Sequence, residues 1–320
     1  MEMNKFYNLV GVAGKRGFQI ASIRTFLLTL AVTAAAFSNA VQAQVNVTAS
    51  GGTPMASYPT LAAAVAAING GTHTGTITVN VDAGHTETLT ARINLTATGT
   101  LANPITIQKS GAGANPVLTA YTGTNTTASA ERDGMFSLSG SDWVTIDGIN
   151  LQEAAGNTDA TTTMEYGYGL FKNSDTDGCQ NNTITNCSLT LNRVNNGAWT
   201  GVGHNGSCGI VVLNCTATAN TAITVTAASG ANSFNKVYGN TVQNCNAGIV
   251  FAGFAAATPF DLGDTGNDVG GTLPATGNTI LNFGGGAATN PATGIFANSQ
   301  CQSADQGQEA TTQFPVYGRC

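Results

Sequence analysis

Apolar residues in this chain come in short, evenly broken groups rather than long runs. Thr76 to Val81 alternates apolar with polar positions as a half-buried strand does, and Pro104-Ile105-Thr106-Ile107 and Pro116-Val117-Leu118 repeat the pattern in shorter form. Further on the groups resemble one another. NTITNCSL, VVLNCTA, NTVQNCNAG and NTILNFGGG each carry a Val or Ile, one spacer, an Asn and then a Cys or Phe.

Aligned on that pattern, Ile184, Val212, Val242 and Ile280 form one apolar column at intervals of 28, 30 and 38 residues. Asn186, Asn214, Asn244 and Asn282 follow two residues on, and Cys187, Cys215, Cys245 and Phe283 come next. WVTIDGINLQE joins through Leu151, with Glu153 at the Asn position. A second column comprises Ile146, Cys179, Cys208 and Val237. Many repeats open on a small residue followed by apolar ones, as in Gly134-Met135-Phe136, Gly169-Leu170-Phe171, Ala222-Ile223, Gly248-Ile249 and Gly294-Ile295.

Runs this short and this β-branched do not form helices, and three per repeat predict an all-β fold. The expected architecture is a right-handed parallel β-helix of three-stranded coils stacked about 4.8 Å apart. Asn suits the coil corners, where its side chain tolerates a left-handed backbone and bonds to copies above and below. The Cys column is expected to be a buried apolar filler. Ahead of the repeats, Leu61, Val65 and Ile68 share one helical face after the start signal Pro59-Thr60. They predict a short helix capping the first coil. Ala155 to Gly167, Asn192 to Ser207 and Ala252 to Gly277 are the long insertions where recognition is expected.

Composition adds a compartment. Lys5, Lys15, Arg16 and Arg24 precede an apolar run from Phe26 to Phe37, and Val41-Gln42-Ala43 places small residues before a cut after Ala43. Residues 1–43 therefore predict a secretory signal, residues 44–298 the β-helix with its cap, and residues 299–320 an irregular tail. The mature chain is expected outside the cell or on its outer surface, with no membrane span. It keeps seven basic residues against sixteen acids, without a basic cluster, which argues against a nucleic-acid partner. Seven cysteines in an oxidising compartment permit disulfides, but no metal-type Cys/His spacing occurs.

The capping helix, Ile77-Thr78-Val79-Asn80-Val81 leading to Gly84-His85-Thr86-Glu87, and the Gly-Ile and Asn-Thr-Ile-x-Asn repeats resemble the pectin-lyase-like superfamily of right-handed β-helices. More narrowly, TDGCQNNTITNC and ATGNTILNFGGGAATNP resemble large Bacteroidetes-type surface proteins exported by the type IX route, over Tyr58 to Asn298. That resemblance implies further coils and a sorting domain after the one opened by Gly294, and so a truncated C-terminus. It implies little about chemistry, because the superfamily holds lyases, hydrolases, esterases, adhesins and stalks.

Similarity to polygalacturonases would set Asn157-Thr158-Asp159, Asp175-Thr176-Asp177, Gly203-His204-Asn205 and Lys236 in catalytic order. One carboxyl would protonate the leaving oxygen and another activate water, with His204 assisting and Lys236 holding a substrate carboxylate. Thr176 interrupts the Asp pair and no Arg accompanies Lys236, so turn chemistry is the favoured reading of Asp175 and Asp177. Asp261, Asp264, Asn267 and Asp268 offer oxygens to calcium without the spacing of a calcium loop, and a solvated acidic loop is favoured there. No cofactor is otherwise expected. His73 and His85, without partners at ligand spacing, are expected at the surface, and Trp143 in the core. The favoured function is a non-catalytic, adhesin-like module that contacts polysaccharide or cell-surface glycan. Tyr166, Tyr168 and Trp199 are its contact candidates, and a polysaccharide hydrolase or lyase is the alternative.

Overall fold

A computed structural model describes residues 44–124, 132–194, 206–284 and 293–301. The expected signal segment, Trp199, His204 and residues 302–320 lie outside the described residues. The chain opens on a hairpin, β1 (Val45–Gly52) and β2 (Met55–Tyr58), followed by helix α1 (Leu61–Asn69). It then cycles through three sheets. The first cycle is β3 (His73–Asp82), β4 (Thr86–Thr88) and β5 (Ile93–Leu95). The second is β6 (Ile105–Ser110), β7 (Val117–Thr119) and β8 (Gly134–Ser139). The third is β9 (Val144–Asp147), β10 (Asn150–Gln152) and β11 (Tyr166–Phe171). The fourth is β12 (Thr183–Thr185), β13 (Ser188–Thr190) and β14 (Cys208–Leu213). The fifth is β15 (Lys236–Tyr238), β16 (Thr241–Gln243) and β17 (Ala247–Ala252). After β18 (Asp264–Thr265) come β19 (Asp268–Val269), β20 (Thr279–Leu281) and β21 (Thr293–Asn298), and then β22 (Gln300–Cys301).

Each cycle adds one parallel strand to each sheet. The first sheet runs β3-β6-β9-β12-β15-β19, the second β4-β7-β10-β13-β16-β20 and the third β5-β8-β11-β14-β17-β21. The protein is thus mostly β, with parallel sheets and a single α-helix among the described residues. In-register pairing stacks like on like. Val79, Ile107, Ile146, Ile184, Val237 and Val269 line the first sheet, and Leu118, Leu151, Leu189, Val242 and Ile280 the second. Ile93, Phe136, Tyr168, Ile210, Ile249 and Ile295 line the third.

That register corrects the sequence alignment. Ile184 belongs to the first sheet, Val212 to the third, and only Val242 and Ile280 are true neighbours. Ala222-Ile223 opens no strand. The repeated glycine has a packing cause. A Cβ on Gly209 would meet Val242 Cγ1 at 2.2 Å, and one on Gly248 would meet the Gly294 carbonyl oxygen at 2.4 Å. The third sheet's backbone therefore rests directly on the second sheet's side chains.

The corner asparagines do adopt the left-handed backbone: Asn186, Asn244 and Asn282 have φ of 56°, 56° and 49°. Asn214 is not among them. The strongest stacking falls on the Asn that precedes a strand. Asn235 Oδ1 accepts from both N–H and Nδ2 of buried Asn182 at 3.1 Å, and Asn267 Oδ1 accepts from Asn235 N–H at 2.9 Å. Asn240 and Asn278 repeat this at the next corner. Cys179, Cys187, Cys208, Cys215 and Cys245 are buried free thiols, as the filler reading expects.

The first coil is covered as the sequence suggested, and more fully. β1 pairs antiparallel with β3, so the hairpin extends the first sheet by two strands. Thr60 Oγ1 accepts from Ala63 N–H at the start of α1. Glu87, which occupies the first position of the second sheet's apolar column, accepts from Leu61 N–H at 2.7 Å. A carboxylate replaces an aliphatic residue there because it closes the helix N-terminus. His73 and His85 are buried, contrary to expectation. His73 bonds Tyr58 Oη and the Thr53 carbonyl, and His85 lies 3.5 Å from Glu87. At the other end Gln300–Cys301 pairs with Asp264–Thr265, so the expected irregular tail begins with a short strand.

Candidate functional site

The proposed catalytic carboxylates serve turns. Asp159 is exposed, and its Oδ1 accepts from Thr161 N–H and Oγ1 at 2.9 Å each, bonds that hold its carboxyl below the usual range. Asp175 Oδ2 accepts from Thr226 Oγ1 at 2.6 Å. Asp177 Oδ2 accepts from Asn173 Nδ2 at 2.9 Å inside a tight turn. Lys236 stands exposed on the outer face of the first sheet, in register with Thr183 and Asp268.

The calcium candidates do not converge. Asp261 is exposed. Asp264, expected in solvent, is buried beside Lys172 Nζ at 3.6 Å. Asp268 accepts from Tyr238 Oη at 2.6 Å and from Gly271 N–H at 3.0 Å. Asn267 is spent on the asparagine stack. Among the described residues, no three His, Cys, Asp or Glu side chains gather as metal ligands would.

The tyrosine candidates are core residues. Tyr168 points between the sheets, where its ring lies 5.8 Å from Phe136 and its hydroxyl donates to the Ile149 carbonyl. Tyr166 faces outward from the third sheet, yet it is fully buried against Phe171 at 5.2 Å. Neither ring is available for a surface contact.

Other aromatics take that place. Where the chain passes from the third sheet back to the first, Trp143, Asn181, Phe234 and Gly266 occupy one column, with φ of 54°, 59°, 60° and 66°. Asn and Gly are the ordinary occupants of such a backbone; Trp and Phe are not, and each costs about 1–3 kcal/mol there. Trp143 is partly exposed rather than in the core, and Phe234 is 47% exposed. The Phe234 ring lies over Gly266, where an added Cβ would meet Phe234 Cδ1 at 2.4 Å. Asp142 precedes Trp143 and accepts from Gln180 N–H at 2.7 Å. Burial lifts its carboxyl to about 6, against that hydrogen bond and with help from the negative charge of nearby Asp177. The ridge thus carries one exposed ring, Phe234, and one partly exposed ring, Trp143, two cycles apart, with Asp142, Gln180 and Asn181 in the same stretch.

Sequence reasoning missed this ridge because its columns were aligned on the apolar residues. The usable signal was positional: Trp143 and Phe234 each sit two residues before an outward polar residue of a first-sheet strand, Thr145 and Lys236, which share one register position. Comparison with protein-family models, curated proteins and solved structures finds no match for this chain. None of the described helices is long and apolar enough to cross a membrane.

Proposed function

We propose that this chain is an exported, non-catalytic right-handed parallel β-helix of the pectin-lyase-like kind, which contacts polysaccharide or cell-surface glycan along the Trp143–Phe234 ridge. Rotation through three parallel sheets supports the architecture, and parallel crossovers are right-handed in about 98% of cases. The function rests on one observation: bulky aromatics, Phe234 exposed and Trp143 partly so, held at strained corner positions that Asn and Gly fill in the same column. Such rings offer flat faces to the C–H faces of sugar rings, and neighbouring amide and carboxyl groups bond the hydroxyls.

The test is retention of the mature chain on a polysaccharide panel, compared with Trp143→Asn and Phe234→Asn. Both variants copy Asn181, so folding should be unimpaired while affinity falls about five- to thirtyfold. Unchanged retention by both variants would remove the ridge from the interaction. A hydrolase remains the second reading, favoured by two neighbouring carboxyls, Asp142 and Asp177, of which burial lifts Asp142. It requires new reducing ends that Asp142→Asn and Asp177→Asn abolish.

A further inference from the structure

The outer face of the third sheet holds a second buried cluster, formed around Tyr166, Phe171, Cys208, Val211, Leu213 and Cys215. Arg132 lies across it. Its chain position is two residues before β8, and its Nη1 reaches Cys215 Sγ at 3.9 Å, two cycles further on. Only 5% of Arg132 is exposed. Nε and Nη2 are buried and meet no hydrogen-bond acceptor among the described residues. A guanidinium does not shed its proton, so the charge stays. The thiol at Nη1 is a weak acceptor.

Carboxylates nearby are committed to the backbone. Glu165 Oε2 accepts from Asp133 N–H and Asp133 Oδ2 from Thr124 N–H, each at 2.6 Å. They offset the charge without filling the fork. Arg92, half-buried, comes in beside Arg132, with Nη1 3.4 Å from the Arg132 carbonyl oxygen and 3.1 Å from that of Ala217. Half-buried Tyr121 stands close enough for the Arg92 charge to act on its hydroxyl. In a chain so poor in basic residues, a half-buried arginine thus reaches the backbone of a buried one, and both guanidinium groups lie along the Cys215–Ala217 segment.

We infer that Arg132 and Arg92 form an oxyanion site on the outer face of the third sheet, which takes a planar carboxylate or a sulfate. The two free donors of Arg132 are adjacent on one edge of the fork, the arrangement that grips two oxygens of one anion at once. Arg92 adds a second positive charge on the solvent side. The site is separate from the aromatic ridge, and neither depends on the other. A carboxylate or sulfate could arrive as a free ion or on an acidic sugar, and the two sources are separable.

Calorimetric titration of the mature chain with sodium sulfate, glucuronate and glucose at constant ionic strength tests this. Sulfate or glucuronate should bind saturably and glucose should not. Glucuronate tighter than sulfate marks an acidic saccharide; equal or weaker binding marks a free anion, and both leave the site in place. Arg132→Met should weaken binding about tenfold or more. Arg92→Gln, at the half-buried rim, should weaken it by less and guards against misfolding of the first variant. Absence of saturable binding by either anion, or full affinity in both variants, would overturn the assignment.

Discussion

Lys172 and Asp264 show how much a single buried pair can be asked to hold. Both side chains are fully enclosed, Lys172 Nζ donates to the Gly230 carbonyl at 2.5 Å, and Asp264 Oδ1 accepts from Asn232 N–H at 2.9 Å. Burial lowers the lysine and raises the aspartate, each against the pull of its partner. Removing one charge strands the other, so Asp264→Ala should lower stability by about 3–5 kcal/mol in urea unfolding. Lys172→Met with Asp264→Leu should recover most of it, since an apolar pair carries no desolvation cost. A double variant as unstable as the single one would show that shape, not charge, matters there. None of this was legible in the sequence, where Asp264 reads as one acid in a polar loop. The partner is contributed from two cycles earlier. His73 and His85 read as surface residues because the strands before the cap, which supply Thr53 and Tyr58 to His73 and lie beside Gln44 at His85, carry no repeat signal. The corner asparagines were legible, because tolerance of a left-handed backbone belongs to the residue itself.

At the scale of the strand, pattern and register part company. Asn-Thr-Ile-Thr-Asn and Asn-Thr-Val-Gln-Asn read alike but enter the first and second sheets respectively. Both sheets use three-residue strands between tight corners, so the motif marks a strand of that kind, not a place in the cycle. Variable insertions then hide the true period, and an alignment on apolar residues drifts from sheet to sheet. The glycine that opens the third-sheet strands is less ambiguous, since it reports a contact. At Gly209 an added methyl would lie 2.2 Å from Val242 Cγ1 and 2.7 Å from the Gly248 carbonyl oxygen. The carbonyl belongs to a paired strand and does not move aside. Gly209→Ala should therefore cost about 1–3 kcal/mol of overpacking in thermal or urea unfolding. Val242→Ala added to it should restore only part, because the carbonyl contact stays. Full restoration would assign the close approach to the side chain alone.

For the whole molecule, each strand pairs only with the cycles above and below, a few side chains such as Lys172 and Arg132 reach further, and stability is close to a sum of neighbour contacts. The two ends of the described stack are unequal. At one end β1, β2 and α1 lie over the first cycle, and Val45, Val47, Leu61 and Val65 are all buried there. At the other, β19, β20 and β21 each have one neighbour within their own sheets, Leu281 is 46% exposed, and β21 is only partly buried. Strands of the third and fourth cycles are paired on both sides, and every residue of β11 and β14 is buried. Local opening follows burial and pairing, so amide protection should form a gradient. Hydrogen exchange of the mature chain should show the slowest amides in β8 to β14, those of β3 nearly as slow under the hairpin, and the fastest strand amides in β19 to β21. Removing residues 44–69 should invert the first part of that order and leave the far end unchanged, because the strand pairing that carries the stack joins only adjacent cycles. Uniform protection across all cycles, lost together on that deletion, would instead mean that the stack opens as one cooperative unit and that the neighbour sum fails.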